Sequence, residues 1–146
     1  MLLLMGNSVF LRLQVLICGR CENMRTGESA ETYLETILVL SNNKSAVRSI
    51  DIANELEYSK PSVSVAMKNL RESGHIVVDA DGYITLTESG REIAESMYQR
   101  HCMLTDFLTT LGVDEKTAKD DACKIEHVIS QASFEKLSQH YNLLTR

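Results

Sequence analysis

Three side chains late in the chain have the types and spacing to share one ion: Cys123, Glu126 and His127 stand at i, i+3 and i+4. On a helix that spacing puts them on one face. A thiolate, a carboxylate and an imidazole are common donors to transition metals. Two earlier residues, Glu35 in AETYLETIL and His101 in YQRHCMLTDFL, could complete the shell. Each of the five also has a plain structural role. Cys123 serves as a small buried hydrophobe and His127 as a satisfied interface histidine. On that plain reading Glu126 would pair with a lysine, His101 would lie on a helix surface and Glu35 would be a solvated acid. Spacing alone leaves both readings open.

A second constellation suits an anion. The segment SKPSVSVAMKNLR carries Lys60, Lys68 and Arg71 and no acid. Read as a helix, it turns Val63, Ala66, Met67 and Leu70 inward as an apolar stripe. The outward face then offers Ser59, Lys60, Pro61, Ser62, Ser64, Val65, Lys68 and Arg71. Small hydroxyls permit close approach to a major groove, Val65 suits a thymine methyl, and the cations suit phosphates. Few long polar side chains are present for bidentate base reading. Backbone contacts and DNA shape are therefore expected to supply much of the affinity. A solvated helix face with ordinary lysines would carry the same residues.

The elements around these residues decide between such readings. Ser29 is placed to cap a helix through ETYLETILVL, with Leu34, Ile37 and Leu38 on one face. Glu31 and Glu35 stand one helical turn apart nearby. Ser49 is expected to cap a short helix, IDIANELEY, and Ser59-Lys60-Pro61 breaks the chain before the cationic helix. Gly74 ends that helix. HIVVDADGYITLT then has a hairpin pattern around Asp81-Gly82. Two short helices, a tight turn and a hairpin in this order define a winged helix-turn-helix. Thr87 opens a long helix that Gly112 stops, with Ile93, Met97, Leu104, Leu108 and Leu111 recurring along it. Its length suits joining two units or packing on a second subunit. Asp114 opens another helix through DACKIEHVI, and a short one is expected from Ser133 to Tyr141. The expected fold is mainly α with a small β-hairpin wing. A DNA-binding unit spans 24–89, and a connecting helix with a helical metal-binding and dimerisation unit spans 90–146.

Composition fits this layout. The 146 residues are 44% hydrophobic and 24% charged, the balance of a soluble globular protein. The net charge of −5 excludes a chain that is basic throughout, so nucleic-acid contact must come from a local patch. Residues 112–135, around the Cys/Glu/His face, are by contrast acid-rich. Cys18, Cys21, Cys102 and Cys123 lack a disulfide-framework spacing, which suits reduced thiols in a cytoplasmic protein. Cys18 and Cys21 form a lone CxxC without a second pair, and are read as incidental. Residues 1–23 are apolar but interrupted by Asn7, Arg12 and Gln14, which fits neither a membrane span nor a signal peptide. We expect translation to start at Met24, with 1–23 an upstream extension. Three classes compete with a metal-responsive regulator. One is a winged-helix regulator indifferent to metal; another is a small metal hydrolase using Glu126 or Glu35 as base. A partner-binding adaptor built on the long helix is a third. No HExxH, nucleophile elbow or phosphate loop supports the hydrolase.

DDACKIEHVIS, with AETYLETIL, YQRHCMLTDFL and SIDIANELEYSKPSVSVAMKNLRESGHI, resembles the diphtheria-toxin-repressor and manganese-transport-regulator family in one register over about residues 28–140. ACKIEH is the specific part; the helix-turn-helix is generic. The resemblance implies a dimeric repressor of metal-uptake genes, activated by metal, that binds a double-stranded DNA operator. It also implies the short two-domain form. Glu35, His101, Cys123, Glu126 and His127 match ligand positions of the family, and Ser59, Pro61 and Ser62 match DNA-contact positions. Cys123 is the version of the iron-responsive branch. Thr32, Thr105 and Lys119 replace ligands found in other members, so one main site is expected. A thiolate with imidazoles favours Fe²⁺ first, with Mn²⁺ second and Co²⁺, Ni²⁺ or Zn²⁺ able to substitute in vitro.

Overall fold

The structure, a computed structural model, describes residues 30–146. The expected cap Ser29, the CxxC pair and the proposed 1–23 extension lie outside the described residues. Helix α1 (Ala30–Asn43) is followed by α2 (Ser49–Leu56) and α3 (Lys60–Glu72). Strands β1 (Ile76–Val78) and β2 (Ile84–Leu86) follow, then α4 (Glu88–Thr110), α5 (Glu115–Val128) and α6 (Gln131–Leu144). The elements form the expected winged helix-turn-helix followed by a helical unit.

The DNA-binding unit has one core. Tyr33, Leu34, Ile37 and Leu38 of α1 meet Ile52 and Ala53 of α2, Val63, Met67 and Leu70 of α3, and Ile76 and Ile84 of the hairpin. Tyr58 packs edge-on against Tyr33 from the α2–α3 turn. Ser59 caps α3 by accepting from Ser62 N, and Pro61 sits in the first turn, where its missing N–H costs nothing. Ser49 does not cap α2. It is the first helical residue, and the Asp51 carboxylate satisfies the orphan N–H of Arg48 at 2.8 Å instead. That carboxylate also holds Lys44, and both contacts keep its pKa below the usual carboxylate range.

The wing is an antiparallel pair with Val77 opposite Thr85. Asp79 Oδ1 accepts from Asp81 N and Tyr83 N, and Gly82 takes φ +82° at the turn, where glycine carries no Cβ penalty. Ile84 N donates to Val47 O, which fastens the wing to the α1–α2 loop. Arg48 stacks over the Tyr83 ring at 4.5 Å.

Helix α4, 23 residues long, crosses from one unit to the other. Ala94 belongs to the DNA-binding core, whereas His101, Leu104 and Thr105 lie buried further on, where α4 packs along α5. Leu111, expected on the buried stripe, is the C-cap and is exposed. Helix α6 is longer than expected. Ser130 caps it, and the helix runs past Tyr141 to Leu144. No residue of α6 is buried, and Leu143 and Leu144 are exposed.

Helix α4 starts on a tight junction. Thr87 caps it through Gly90 N and also donates to Gly74 O, while Thr87 N donates to His75 O. Gly90 is buried there, and an added Cβ would overlap the His75 carbonyl oxygen. Gly90→Ala should therefore destabilise the fold by about 1–3 kcal/mol, despite the better helix propensity of alanine. Chemical denaturation of the metal-free protein measures it.

Candidate metal centre and nucleic-acid interface

Helix α1 buries one face in the DNA-binding core and turns its flank, with Glu31, Thr32 and Glu35, toward α4 and α5. Glu35 from α1, His101 from α4 and Glu126 from α5 each offer a ligand atom, all within 4.8 Å of one another. Ligands each about 2.0–2.2 Å from one ion would span at most about 4.4 Å, so the cluster is close to ligating size. His101 Nδ1 pairs with Glu126 Oε2 at 2.9 Å. Glu126 is 0% exposed, and among the described residues its other oxygen, Oε1, is met only by the ion pair with His127 Nε2 at 3.3 Å. Thr105 Oγ1, one turn past His101, is buried without a hydrogen-bond partner among the described residues. A buried carboxylate beside imidazoles and a second carboxylate is an environment that a cation would satisfy.

His127 sits beside this cluster. Its Nε2 lies 3.3 Å from Glu126 Oε1 and 3.4 Å from Thr32 Oγ1, and its Nδ1 pairs with Glu31 Oε2 at 2.9 Å. The Glu126 carboxylate, and then Glu31, push the imidazole pKa up to about 9, against the opposing effect of burial. Cys123 lies on α5 one turn before Glu126 and is half-buried. It is not among the three residues gathered within 4.8 Å. Arg100 holds this end of α5 in place. Its guanidinium donates to Glu126 O, Ile129 O and Gln131 Oε1, and it stacks on Phe134. It thereby satisfies carbonyls that a helix C-terminus leaves unpaired.

Two residues near the centre were not singled out as ligands from sequence. Glu31 was visible only as the partner of Glu35 one turn away, a spacing that is ordinary on any helix. Cys102, next to His101, is half-buried within the electrostatic reach of Asp106, Glu35 and Glu126. Burial first, then these acids, push its thiol up to about 11, so it stays protonated and unreactive at neutral pH.

Helix α3 presents the expected face. Ser59, Lys60, Pro61, Ser64, Lys68 and Arg71 are exposed, Ser62 is half-buried, and Val65 is 59% exposed. The hydroxyls of Ser59 and Ser62 bond to each other at 2.9 Å. Lys68 makes only a long contact to Glu72, at 3.9 Å on the surface, which leaves its charge available to an anion.

A winged helix-turn-helix joined by one long helix to a unit with a carboxylate–imidazole cluster fits a class, the DNA-binding regulators of winged-helix type. The comparisons agree. Residues 25–83 match the N-terminal DNA-binding domain of iron-dependent repressors, and residues 87–146 match their metal-binding and dimerisation domain. The chain is 36% identical to the HTH-type transcriptional regulator MJ0568 of Methanocaldococcus jannaschii, over 75% of this chain and 90% of that protein. It is 34% identical to the HTH-type transcriptional regulator MntR of Lysinibacillus sphaericus, over 75% of this chain and 79% of that one. The structure of the manganese regulator SloR superposes with a TM-score of 0.71 at 28% identity, over 78% of this chain. The chain spans only about half of SloR, 54%. The chain belongs to the iron-dependent repressor family, a family of metal-dependent transcriptional regulators and not of enzymes. Among the described residues, no helix is long and apolar enough to cross a membrane.

The raised His127 pKa makes the metal-free fold pH-dependent. Its folded value, about 9, lies above the ordinary 6.5, so the folded state holds the proton more tightly than the unfolded chain does. That contribution is fully present below pH 6.5 and is lost as pH rises through 9. The Tm of chelator-treated protein should fall across this interval, and His127→Gln should flatten the fall.

Proposed function

We propose that this chain is a cytoplasmic homodimeric repressor that binds operator DNA through α3 when a divalent metal is held by Glu35, His101, Cys123, Glu126 and His127. The observation that carries the reading is the approach of Glu35, His101 and Glu126, from three different helices, to within 4.8 Å. A bound dication would neutralise the two carboxylates and take over the charge compensation of Glu126 Oε1 that His127 gives in the metal-free protein. Glu35 would then tie α1, and with it the DNA-binding core, to α4 and α5. Because α1 shares that core with α3, fixing α1 fixes the direction of the recognition helix. In a dimer, the spacing of two such helices must match half-sites about one DNA turn apart.

Fe²⁺ is the effector we favour. Cys123 adds a soft donor one turn from Glu126, and a thiolate discriminates against Mn²⁺. Mn²⁺ is the second reading, favoured by the oxygen and imidazole donors that are already gathered and by the manganese regulators among the similar proteins. On the DNA side, Ser59, Lys60, Pro61, Ser62, Ser64, Val65, Lys68 and Arg71 form the contact face.

Fluorescence anisotropy on the promoter of the protein's own gene or of a neighbouring metal transporter tests the whole reading. Binding should be tight with anaerobic Fe²⁺ or with Mn²⁺ and at least about 10-fold weaker with chelator, the size of typical allosteric couplings. Glu126→Gln should abolish the metal response. Cys123→Ala should weaken Fe²⁺ and Co²⁺ activation more than Mn²⁺ activation and leave the metal-free fold intact. Equal binding with chelator would remove the sensor role. Lys60→Ala, Lys68→Ala and Arg71→Ala should each weaken binding across all sequences and lower the salt slope by about 1. An unchanged slope would move the phosphate contacts off α3.

A further inference from the structure

The five ligand positions assign no role to Glu31, yet its side chain makes a direct contact between α1 and α5. Glu31 Oε2 lies 2.9 Å from His127 Nδ1. A carboxylate can only accept, so Nδ1 carries the proton of this bond. The other ring nitrogen, Nε2, is thereby turned to Glu126 Oε1 at 3.3 Å and Thr32 Oγ1 at 3.4 Å, on the side of the ligand cluster. Carboxylate on one imidazole nitrogen and metal on the other is a recurring arrangement; it fixes ring orientation and tautomer and raises donor strength. Glu31 also lies one turn before Glu35 on the same helix. One helix of the DNA-binding core therefore reaches the site twice, through Glu35 to the cluster itself and through Glu31 to the back of His127. The first turn of α1 suits an anionic side chain, whose charge the helix dipole favours there.

We propose that Glu31 is a positioning residue: by holding His127 Nδ1 it presents Nε2 to the metal and makes His127 part of the link between α1 and α5. This rests on the metal-site reading above. Glu31 supplies no ligand atom. It acts through His127, and Thr32, the residue beside it, lines the Nε2 side without supplying a carboxylate.

The test is metal binding by the full chain, followed with Co²⁺ spectra and competition titration of Mn²⁺, together with ¹⁵N tautomer analysis of the Zn²⁺-loaded protein. In wild type, His127 should show a protonated Nδ1 and a metal-bound Nε2. Glu31→Gln and Glu31→Ala should keep the metal stoichiometry and the Co²⁺ band pattern. Both should lower metal affinity about 10–100-fold, the usual cost of removing such a partner. They should also speed exchange of the His127 Nδ1 proton with solvent. Glu31→Asp should restore part of the affinity if the carboxylate is what matters. Wild-type affinity in both Glu31 variants, with affinity lost in His127→Ala and Glu126→Gln, would overturn the role of Glu31 and leave the metal site standing. A lowered stoichiometry or a changed Co²⁺ coordination number in Glu31→Ala would make Glu31 a ligand and also overturn it. If wild type binds no metal, or Glu126→Gln and His101→Ala bind as wild type does, the site itself falls and the proposal falls with it. Circular dichroism of each metal-free variant separates these outcomes from misfolding.

Discussion

A buried carboxylate with only one of its two oxygens hydrogen-bonded is the constraint around which the helical unit is arranged. Glu126 is fully buried on α5, hydrogen-bonded through one oxygen to His101 and met at the other, among the described residues, only by an ion pair with His127 at 3.3 Å. Desolvating a carboxylate costs several kcal/mol unless opposite charge or hydrogen bonds return it. A protein optimised only for packing would place a leucine or methionine at this point between α4 and α5. The arrangement makes physical sense when positive charge enters the cluster. In the metal-free protein the proton held by His127 supplies part of it, from 3.3 Å away. A metal and that proton are therefore alternative sources of the same charge, which is why affinity at such sites depends on pH.

In the proposed repressor, the same constraint would let an ion at this cluster act on DNA binding. α1 has two chemically different sides. Tyr33, Leu34, Ile37 and Leu38 are core residues of the helix-turn-helix, whereas Glu31 and Glu35 lean on the helical unit. A close-packed core does not deform gradually, so a shift of α1 is passed to α3 as a change of position. The ion needs differential affinity for one arrangement of α1 against α4 and α5, and DNA must prefer that same arrangement. The influence of metal on DNA binding and of DNA on metal binding is then equal by linkage.

Most of the DNA-binding unit was legible in the sequence because its signals are local. Ser59 and Pro61 mark the start of α3, Asp81-Gly82 marks the wing turn, and Thr87 and Asp114 cap the helices they precede. Errors arose where a local signal had a stronger competitor a few residues away. Asp51 accepts the Arg48 N–H, which makes Arg48 the N-cap and Ser49 the first helical residue, and Ser130 starts α6 a turn before its bonded partner Ser133. Glu35, His101 and Glu126 were legible as candidates, and spacing on α5 was enough to group Glu126 with His127. That α1 contributes two carboxylates was not legible. The Glu31–His127 contact joins residues 96 positions apart, and its geometry exists only after α1 and α5 are packed on α4. Cys123 shows the converse. The i, i+3, i+4 spacing places it on the ligand face, yet the three ligand atoms gathered within 4.8 Å come from Glu35, His101 and Glu126, two of them from other helices that spacing on α5 says nothing about.

The weakness of the recognition helix gives the ion site its leverage. The chain is acidic overall, and the proposed contact face of α3 offers three cations, small hydroxyls and an exposed valine. Such a face gains most of its affinity from phosphates, which carry little sequence information. One unit alone would bind many sequences comparably. Discrimination then has to come from two units meeting two half-sites in register, and from the DNA shape that permits it. Register depends on the angle at which each α3 leaves the molecule. In the proposed repressor that angle would be set where α1 meets α4 and α5, which is where Glu35, His101, Glu126 and His127 converge. A helix able to read bases strongly by itself would tolerate errors in that angle and would escape control by the ion. A recognition face this modest cannot.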